Sequence, residues 1–516
     1  MKRASGVLLH VSSLPGPFGI GTLGEEAYRF VNQLAEAGVR YWQVLPLTPP
    51  GSSNSPYASV SCFANNELFI DPRRLAEEGF FSQEELQSFY HKGMTNLADF
   101  GFATANVANY LHLAFSRVSE EQHREMLAFV NAESYWLNDY ALFEVIHREN
   151  NYASWLDWTD DLRLHNEKAL VQYSMQPEHI SELEYIYFAQ WQFRRQWDAL
   201  KAYANAKGVL LIGDMPIFPA LDSADVWASP EQFQLDEDGN PTAKAGVPPD
   251  YFSEDGQLWG NPLYDWDFIE EDEYKWWVQR VGYSMKLFDV IRIDHFRGFD
   301  SYWAVPAEST TAKHGVWRRG PGMKLFEKLK EELEHVNIIA EDLGDINEDV
   351  AALVEESGYP GMKVLQFAFD DKERGTELPY TYPVNKVIYT GTHDNNTVYG
   401  WLEHADEETR EFALDYVRMP DMTDWRIGGP YSPSVRAFIE TAWSTPCVLA
   451  VAPVQDLLGY GDNTRMNTPG TNTSRNWVFR IDEAELARLD TAWLYRMNQV
   501  FQRLDNDNSQ MKRSQE

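Results

Sequence analysis

Short runs of Val, Ile, Leu, Tyr and Phe recur along the chain, and each run ends in polar or turn residues. Apolar runs of this length between turn signals predict buried strands. They occupy residues 6–11, 41–47, 208–217, 290–294, 337–342, 362–369, 386–394 and 447–453. Apolar residues at three- and four-residue spacing predict amphipathic helices between most of the runs. These helices are expected at 25–37, 269–288, 322–335, 346–357, 404–418 and 434–443.

The alternation of strands and helices predicts a parallel sheet, and eight strands favour a closed (β/α)8 TIM barrel in a single domain over residues 1–516. A doubly wound open sheet is the alternative. It is disfavoured because residues 14–24, which follow the first strand, contain glycines but lack the order of a phosphate-binding fingerprint.

A minimal barrel needs about 250 residues, so about half of this chain must lie outside it. Most of the surplus follows the second strand, where helical patterns predict an inserted, mostly helical subdomain at approximately 73–205. Residues 245–266, here called the lid segment, form a second and irregular insertion before the fourth strand. No separate C-terminal β domain is expected.

The chain has 79 acidic and 44 basic residues, a formal net charge of −35. This charge disfavours a nucleic-acid partner and docking on an anionic membrane, because both need a positive surface. It is compatible with a neutral substrate. Aromatic residues make up 14% of the chain, which fits a protein that stacks flat, hydroxyl-rich ligands on its rings.

The apolar run near the N-terminus is short and contains His10, so it is typical of a first strand and not of a secretion signal. No apolar stretch approaches the ~20 residues that span a bilayer. Cys62 and Cys447 indicate no disulfide framework, which favours a reducing compartment. We therefore expect a cytoplasmic protein.

Acidic residues stand where several predicted strands end. Asp214 follows the third strand, Asp294 the fourth, Glu341 the fifth, and His393 with Asp394 the seventh. A carboxylate after a strand often caps the next helix, and this is the simpler explanation for each site alone. Because the strand ends of a barrel meet at one face, several carboxylates there indicate an active site.

Two uses of these carboxylates compete. Asp294 and Asp394 could bind a metal ion together with His295 and His393, but Arg292 beside Asp294 would oppose a cation. Glycoside chemistry instead needs one ionised carboxylate and one protonated carboxylic acid. Arg292 and Asp294 share one face of the strand, which keeps Asp294 ionised.

Glu341 follows the apolar run NIIA and has no basic neighbour in sequence, so its pKa can rise. This asymmetry between the two carboxyl groups favours glycoside chemistry, with no metal and no cofactor.

The order of these motifs resembles that of the α-amylase superfamily, and more narrowly that of the amylomaltase family of 4-α-glucanotransferases. The resemblance covers nearly the whole chain. The motifs that carry it are SSLPGPFGIGTLG (12–24), WQVLPLTPPG (42–51), NSPYAS (54–59), GDMPIF (213–218), GVPPDYFSEDGQLWGNPLYDW (246–266), RIDHFRG (292–298), AEDLG (340–344), GTHDNNT (391–397) and RMNTPGT (465–471).

The resemblance implies a retaining transfer of α-1,4-glucan segments between malto-oligosaccharides through a covalent glucosyl-enzyme. Asp294 would be the nucleophile, Glu341 the general acid/base and Asp394 the transition-state stabiliser. The same resemblance implies residues that orient Asp294 or hold sugars, namely Arg292, His393, Asp214, Tyr57, Asp250 and Trp259. Residues 465–471 are interpreted as closure of the barrel.

Two alternatives remain at this point. A hydrolase of α-1,4-glucans could use the same barrel and the same carboxylates. A non-catalytic glucan-binding protein could also present aromatic rings, although it would not need all three acids at 294, 341 and 394. Residue patterns alone predict no oligomeric state.

Overall fold

The computed structural model describes residues 1–51, 53–93, 96–249, 254–344, 346–369, 377–419 and 423–505. Its strands are β1 (Ala4–Leu8), β2 (Tyr41–Gln43), β3 (Leu210–Met215), β4 (Ala243–Val247), β5 (Gln257–Pro262), β6 (Val290–Ile293), β7 (Ser301–Pro306), β8 (Val316–Arg319), β9 (Ile338–Ala340), β10 (Gly361–Val364), β11 (Lys386–Tyr389) and β12 (Leu449–Pro453).

The α-helices are α1 (Glu25–Glu36), α2 (Pro72–Glu77), α3 (Gln83–Ser88), α4 (Phe100–Phe115), α5 (Glu120–Ala132), α6 (Ser134–Glu149), α7 (Asp160–Arg163), α8 (Glu167–Ser174), α9 (Pro177–Ala206), α10 (Ala224–Ala228), α11 (Trp266–Glu271), α12 (Lys275–Leu287), α13 (Met323–Glu332), α14 (Glu348–Ser357), α15 (Val398–His404), α16 (Glu407–Tyr416), α17 (Pro433–Ser444), α18 (Val454–Leu457), α19 (Glu483–Leu486) and α20 (Thr491–Val500). Short 3-10 helices occupy Val11–Ser13, Glu67–Phe69, Trp155–Asp157, Pro230–Gln232, Phe296–Phe299, Leu365–Phe369, Pro379–Thr381 and Asp462–Thr464.

Eight strands close into a barrel in the order β1-β12-β11-β10-β9-β6-β3-β2, and every pairing in it is parallel. The prediction of a (β/α)8 barrel is therefore confirmed, and each of the eight apolar runs overlaps one barrel strand, although β1 and β10 begin before their runs, at Ala4 and Gly361. The first and last strands close the barrel, with a register from Ala4 opposite Leu449 to Leu8 opposite Pro453. All strand ends that carry the predicted acids consequently lie at one face.

Two of the predicted helices differ from the observed ones, because local backbone signals override apolar periodicity. The pattern at 269–288 divides into α11 and α12, because Glu273 and Tyr274 between them adopt left-handed φ values of 56° and 55°. The helix predicted at 404–418 starts later than expected. Asp406 caps α16 by accepting a hydrogen bond from the Thr409 amide, so the helix begins at Glu407.

Helices α2 to α9 lie between the second and third barrel strands, where the helical insertion was predicted. The long helix α9 contacts α5 and α6 of this insertion and also α1, α12 and β3 of the barrel. The Trp197 indole on α9 donates to the Leu287 carbonyl at the end of α12, over 2.8 Å. One continuous hydrophobic core runs through both parts. The subdomain boundary near residue 205 remains a prediction, since α9 belongs to both.

The lid segment is more regular than expected. Its strands β4 and β5 pair with β7 and β8 in an antiparallel sheet of order β5-β4-β7-β8. The expectation of an irregular insertion was therefore wrong for residues 257–262, and β7 and β8 were not predicted at all. Gly246 permits the close pairing, because a Cβ atom there would lie 2.4 Å from the Gln257 carbonyl oxygen. Residues 250–253 lie outside the described part of the chain.

Arg503 closes the base of the barrel after α20. Its fully buried guanidinium donates to the backbone carbonyls of Ala4, Trp443, Thr445 and Cys447. Among the residues described beyond Pro453, the secondary structure is helical and no named strand occurs. None of the described helices has the length and apolar character needed to cross a membrane.

Candidate active site

Arg292 lies at the centre of a buried ion-pair network at the ends of β3 and β6. Its strand register places it directly beside Asp214. The guanidinium donates to both oxygens of Asp214, over 2.7 and 2.8 Å, and to Oδ1 of Asp294 over 2.9 Å. The Asp214 side chain is fully buried, whereas that of Asp294 is 32% exposed. Asp294 is therefore the carboxylate that an incoming ligand can reach.

Glu341 follows β9 and has a different environment. Its Oε1 accepts from the Leu343 amide over 2.9 Å, and its Oε2 accepts from the His295 amide over 2.8 Å. Burial and the neighbouring charge of Asp294 raise the pKa of Glu341 to about 7, against the opposing effects of Arg292 and the two amides. The predicted rise in the pKa of Glu341 is thus confirmed. Near neutral pH this carboxyl group can carry a proton, while Asp294 has a guanidinium partner.

Asp394 follows β11 and is held by a segment distant in sequence. Asn467 donates its side-chain amide to Oδ1 of Asp394 over 2.7 Å, and its backbone amide donates to the His393 carbonyl over 3.0 Å. Arg465 donates to the backbone carbonyls of Asp394 and Asn467. Residues 465–467 therefore do more than close the barrel. Apolar periodicity contains no signal for this contact, although the segment belongs to the motif RMNTPGT (465–471).

Tyr57 connects two of the predicted site residues. Its hydroxyl donates to Oδ2 of Asp214 over 2.8 Å. Its ring stacks on His393, with centroids 5.1 Å apart and an interplanar angle of 15°, and Trp477 lies 5.7 Å away. Tyr57 is therefore partly buried, and His393 covers one face of its ring. Trp477 was not among the residues predicted from the sequence.

A family model described as 4-alpha-glucanotransferase, glycoside hydrolase family 77, matches residues 9–486 of this sequence. The chain belongs to the 4-alpha-glucanotransferase family. The resemblance drawn from the motifs is confirmed, and so is the expectation of a transferase of this type.

Relatives in this family align over almost their whole length. A 4-alpha-glucanotransferase of Thermus thermophilus is 45% identical over 511 residues, which cover 98% of this chain and 100% of the relative. One of Streptococcus pneumoniae is 41% identical over 517 residues, covering 99% and 100%. The solved amylomaltase of Streptococcus agalactiae, in complex with acarbose, superposes with a TM-score of 0.91 at 37% identity and covers 98% of this chain and 100% of that one.

Two further predicted residues of this 4-alpha-glucanotransferase family member belong to the lid segment. Trp259, on β5, is 38% exposed and meets the ring of His295 edge-on, with centroids 4.8 Å apart. Asp250 lies outside the described residues. Within the described ranges, no group of three or more His, Cys, Asp or Glu side chains is arranged to hold a metal ion.

Proposed function

We propose that Asp294 is the nucleophile and Glu341 the general acid/base of a retaining 4-alpha-glucanotransferase. The observation that carries this assignment is the contrast between the two carboxyl groups. Glu341 has a pKa of about 7 and can donate a proton near neutral pH. Asp294 is paired with Arg292 and partly exposed, as a nucleophile must be. Retaining glycosidases use this combination of carboxyl groups.

In the first half-reaction, an oxygen of Asp294 attacks the anomeric carbon of an α-1,4-linked glucose. The bond from that carbon to O4 of the next glucose breaks, and Glu341 transfers its proton to the departing O4. The products are a β-linked glucosyl-enzyme and a freed reducing-end fragment.

In the second half-reaction, the 4-hydroxyl group of another glucan enters the site. Glu341, now a carboxylate, accepts the hydroxyl proton while the oxygen attacks the anomeric carbon. The bond to Asp294 breaks, and the carboxylate is regenerated. Two inversions give net retention of the α configuration.

The remaining site residues hold the reacting sugar. Asp394 would accept hydrogen bonds from sugar hydroxyls and stabilise the positive charge that develops at the transition state. His393 would hold the same sugar ring, and Tyr57 would stack on a glucose. Asp214 would act on that sugar through Arg292 and Tyr57, because its buried carboxylate already accepts hydrogen bonds from both. Malto-oligosaccharides and longer α-glucans are the proposed substrates, which is consistent with the acarbose complex of the Streptococcus agalactiae amylomaltase.

Transfer requires that a sugar reaches the glucosyl-enzyme before water does. We assign this selection to Trp259 and Asp250 of the lid segment and to the helical insertion at approximately 73–205, which would shield the site and receive the acceptor. The exposed indole of Trp259 offers a flat surface for an acceptor glucose.

The compartment and the partners follow from charge and thiol chemistry. Both cysteines carry free thiols, which supports a cytoplasmic location. The net charge of −35 supports a neutral glucan substrate and no nucleic-acid partner.

The product profile from pure maltotriose tests the proposed function, with total reducing ends counted over the same time course. We expect glucose and a ladder of longer malto-oligosaccharides at nearly constant reducing ends. Reducing ends that rise in step with substrate loss would mean hydrolysis instead. The Asp294→Asn variant should lose catalysis and keep glucan binding, whereas a purely binding protein would show no turnover in either form.

A further inference from the structure

His295 has an unusual backbone conformation beside the general acid/base. Its φ and ψ are 52° and 49°, which lie in the left-handed region. This conformation points its amide at Glu341, with 2.8 Å from the His295 nitrogen to Oε2. The mechanism described above does not use His295.

We propose that His295 is a positioning residue, whose left-handed backbone orients the acid/base Glu341 and whose ring supports Trp259 of the lid segment. The inference rests on the proposed role of Glu341. The backbone amide and the ring of His295 have separate functions, so different substitutions can remove one and keep the other.

The backbone function follows from the chain path after β6. Asp294 still follows the strand, since its amide donates to the Met215 carbonyl over 3.0 Å. The chain then reverses at His295, and the next amide, that of Phe296, donates to the Glu341 carbonyl over 3.0 Å. Two consecutive amides thus hold Glu341, one by its carboxylate and one by its backbone. Both hydrogen bonds are made with positive φ at His295, and His tolerates this region better than most side chains.

The ring function depends on the contact with the lid segment. The His295 ring lies edge-on to the Trp259 indole at 4.8 Å, with an interplanar angle of 86°. The ring also lies close to Gly298, where an added Cβ atom would approach it to 3.3 Å. Burial lowers the pKa of His295 to about 4, so the ring is neutral where the enzyme would work.

The groups that face Glu341 determine the direction in which its pKa should change when the His295 amide is lost. Asp294 raises its pKa, whereas Arg292 and the amides of Leu343 and His295 lower it. A hydrogen bond to a carboxylate favours the charged form, so loss of the His295 amide must raise the pKa of Glu341 further. Because donor cleavage needs protonated Glu341, the basic limb of the pH profile should move upward.

The experiment measures kcat/KM for maltotriose from pH 5 to 9 in the full-length enzyme and in two variants. His295→Val disfavours left-handed φ, because β-branched residues rarely adopt it. His295→Asn keeps left-handed φ and the amide while it removes the ring. We expect the basic limb to move up by about one pH unit in His295→Val and to stay in place in His295→Asn. We also expect His295→Asn to lower the ratio of transfer to hydrolysis.

Three results overturn the inference. The first is an equal movement of the basic limb in both variants, and the second is an unmoved limb in His295→Val. The third is an unchanged ratio of transfer to hydrolysis in His295→Asn, which would remove the ring function. If that variant does not fold, as judged by its melting transition, His295→Ala serves in its place with a smaller expected shift. Glu341→Gln separates the two proposals: if it retains donor cleavage, the proposed role of Glu341 fails. If it loses cleavage while the His295 variants show no contrast, only the present inference fails.

Discussion

The hydrogen bond from Asn467 to Asp394 gives the sharpest test of how the third acid is positioned. Asn467→Ala removes a donor that lies 2.7 Å from Oδ1. A hydrogen bond to a charged group contributes about 1.5–3 kcal/mol, and each 1.36 kcal/mol corresponds to tenfold in rate. The Asp394 side chain is 43% exposed, so water can replace part of the lost bond. We therefore expect kcat/KM for maltotriose to fall about tenfold, near the lower end of that range.

The assay compares initial rates of glucose release from maltotriose, with the melting temperature of each variant as a check on folding. Asn467→Asp replaces the donor with a like charge beside Asp394, so it should lower the rate more than Asn467→Ala. Asn463→Ala is the matched control, because this exposed asparagine lies in the same segment. A fall of less than about twofold in Asn467→Ala, or an equal fall in the control, would contradict a positioning role of Asn467.

Other predictions concern pH, stability and acceptor use. The kcat/KM should fall as pH rises through about 7, where Glu341 loses its proton. Because the pKa of Glu341 rises from 4.5 in the unfolded chain to about 7 in the folded chain, the free energy of unfolding should decrease as pH rises between these values. The melting temperature of Glu341→Gln should therefore gain on that of the wild type across this interval and then keep a constant difference. Arg503→Met leaves buried carbonyls without a donor and should lower the free energy of unfolding in urea by about 3 kcal/mol or more. Trp259→Ala and Tyr57→Ala should each lower transfer from maltotriose more than hydrolysis, because each ring is proposed to stack on a glucose. An equal drop in the two activities would contradict that role.

Much of the barrel was predictable because strand and helix signals are local. Each barrel strand overlaps a predicted run of apolar residues. The helix boundaries differ mainly where a cap such as Asp406 or a left-handed pair such as Glu273 and Tyr274 intervenes. The β4–β5–β7–β8 sheet was not predictable in the same way. Its outer strands β5 and β8 are short and mostly exposed or partly buried, so apolar periodicity is weak in them.

The candidate site divides in a similar way. Arg292 and Asp294 share a face because they are two residues apart in a strand, and this contact was predictable from spacing. The contact of Arg292 with both oxygens of Asp214 depends on the register between β3 and β6. Residue spacing within one strand does not determine that register. Tyr57 was expected among the residues that hold sugars, but its stacking on His393 could not be read from the sequence.

The amino-acid sequence alone determined where the barrel strands lie and which acids follow them, because parallel strands in a closed barrel all end at the same face. Tertiary structure decided which groups surround those acids. Asn467 is 73 residues from Asp394, and the His295 amide is 46 residues from Glu341. Contacts over such separations depend on closure of the barrel and on individual backbone angles. For that reason, the pKa of about 7 at Glu341 could be anticipated in direction from the sequence, but its value depends on burial and neighbours that only the folded chain brings together.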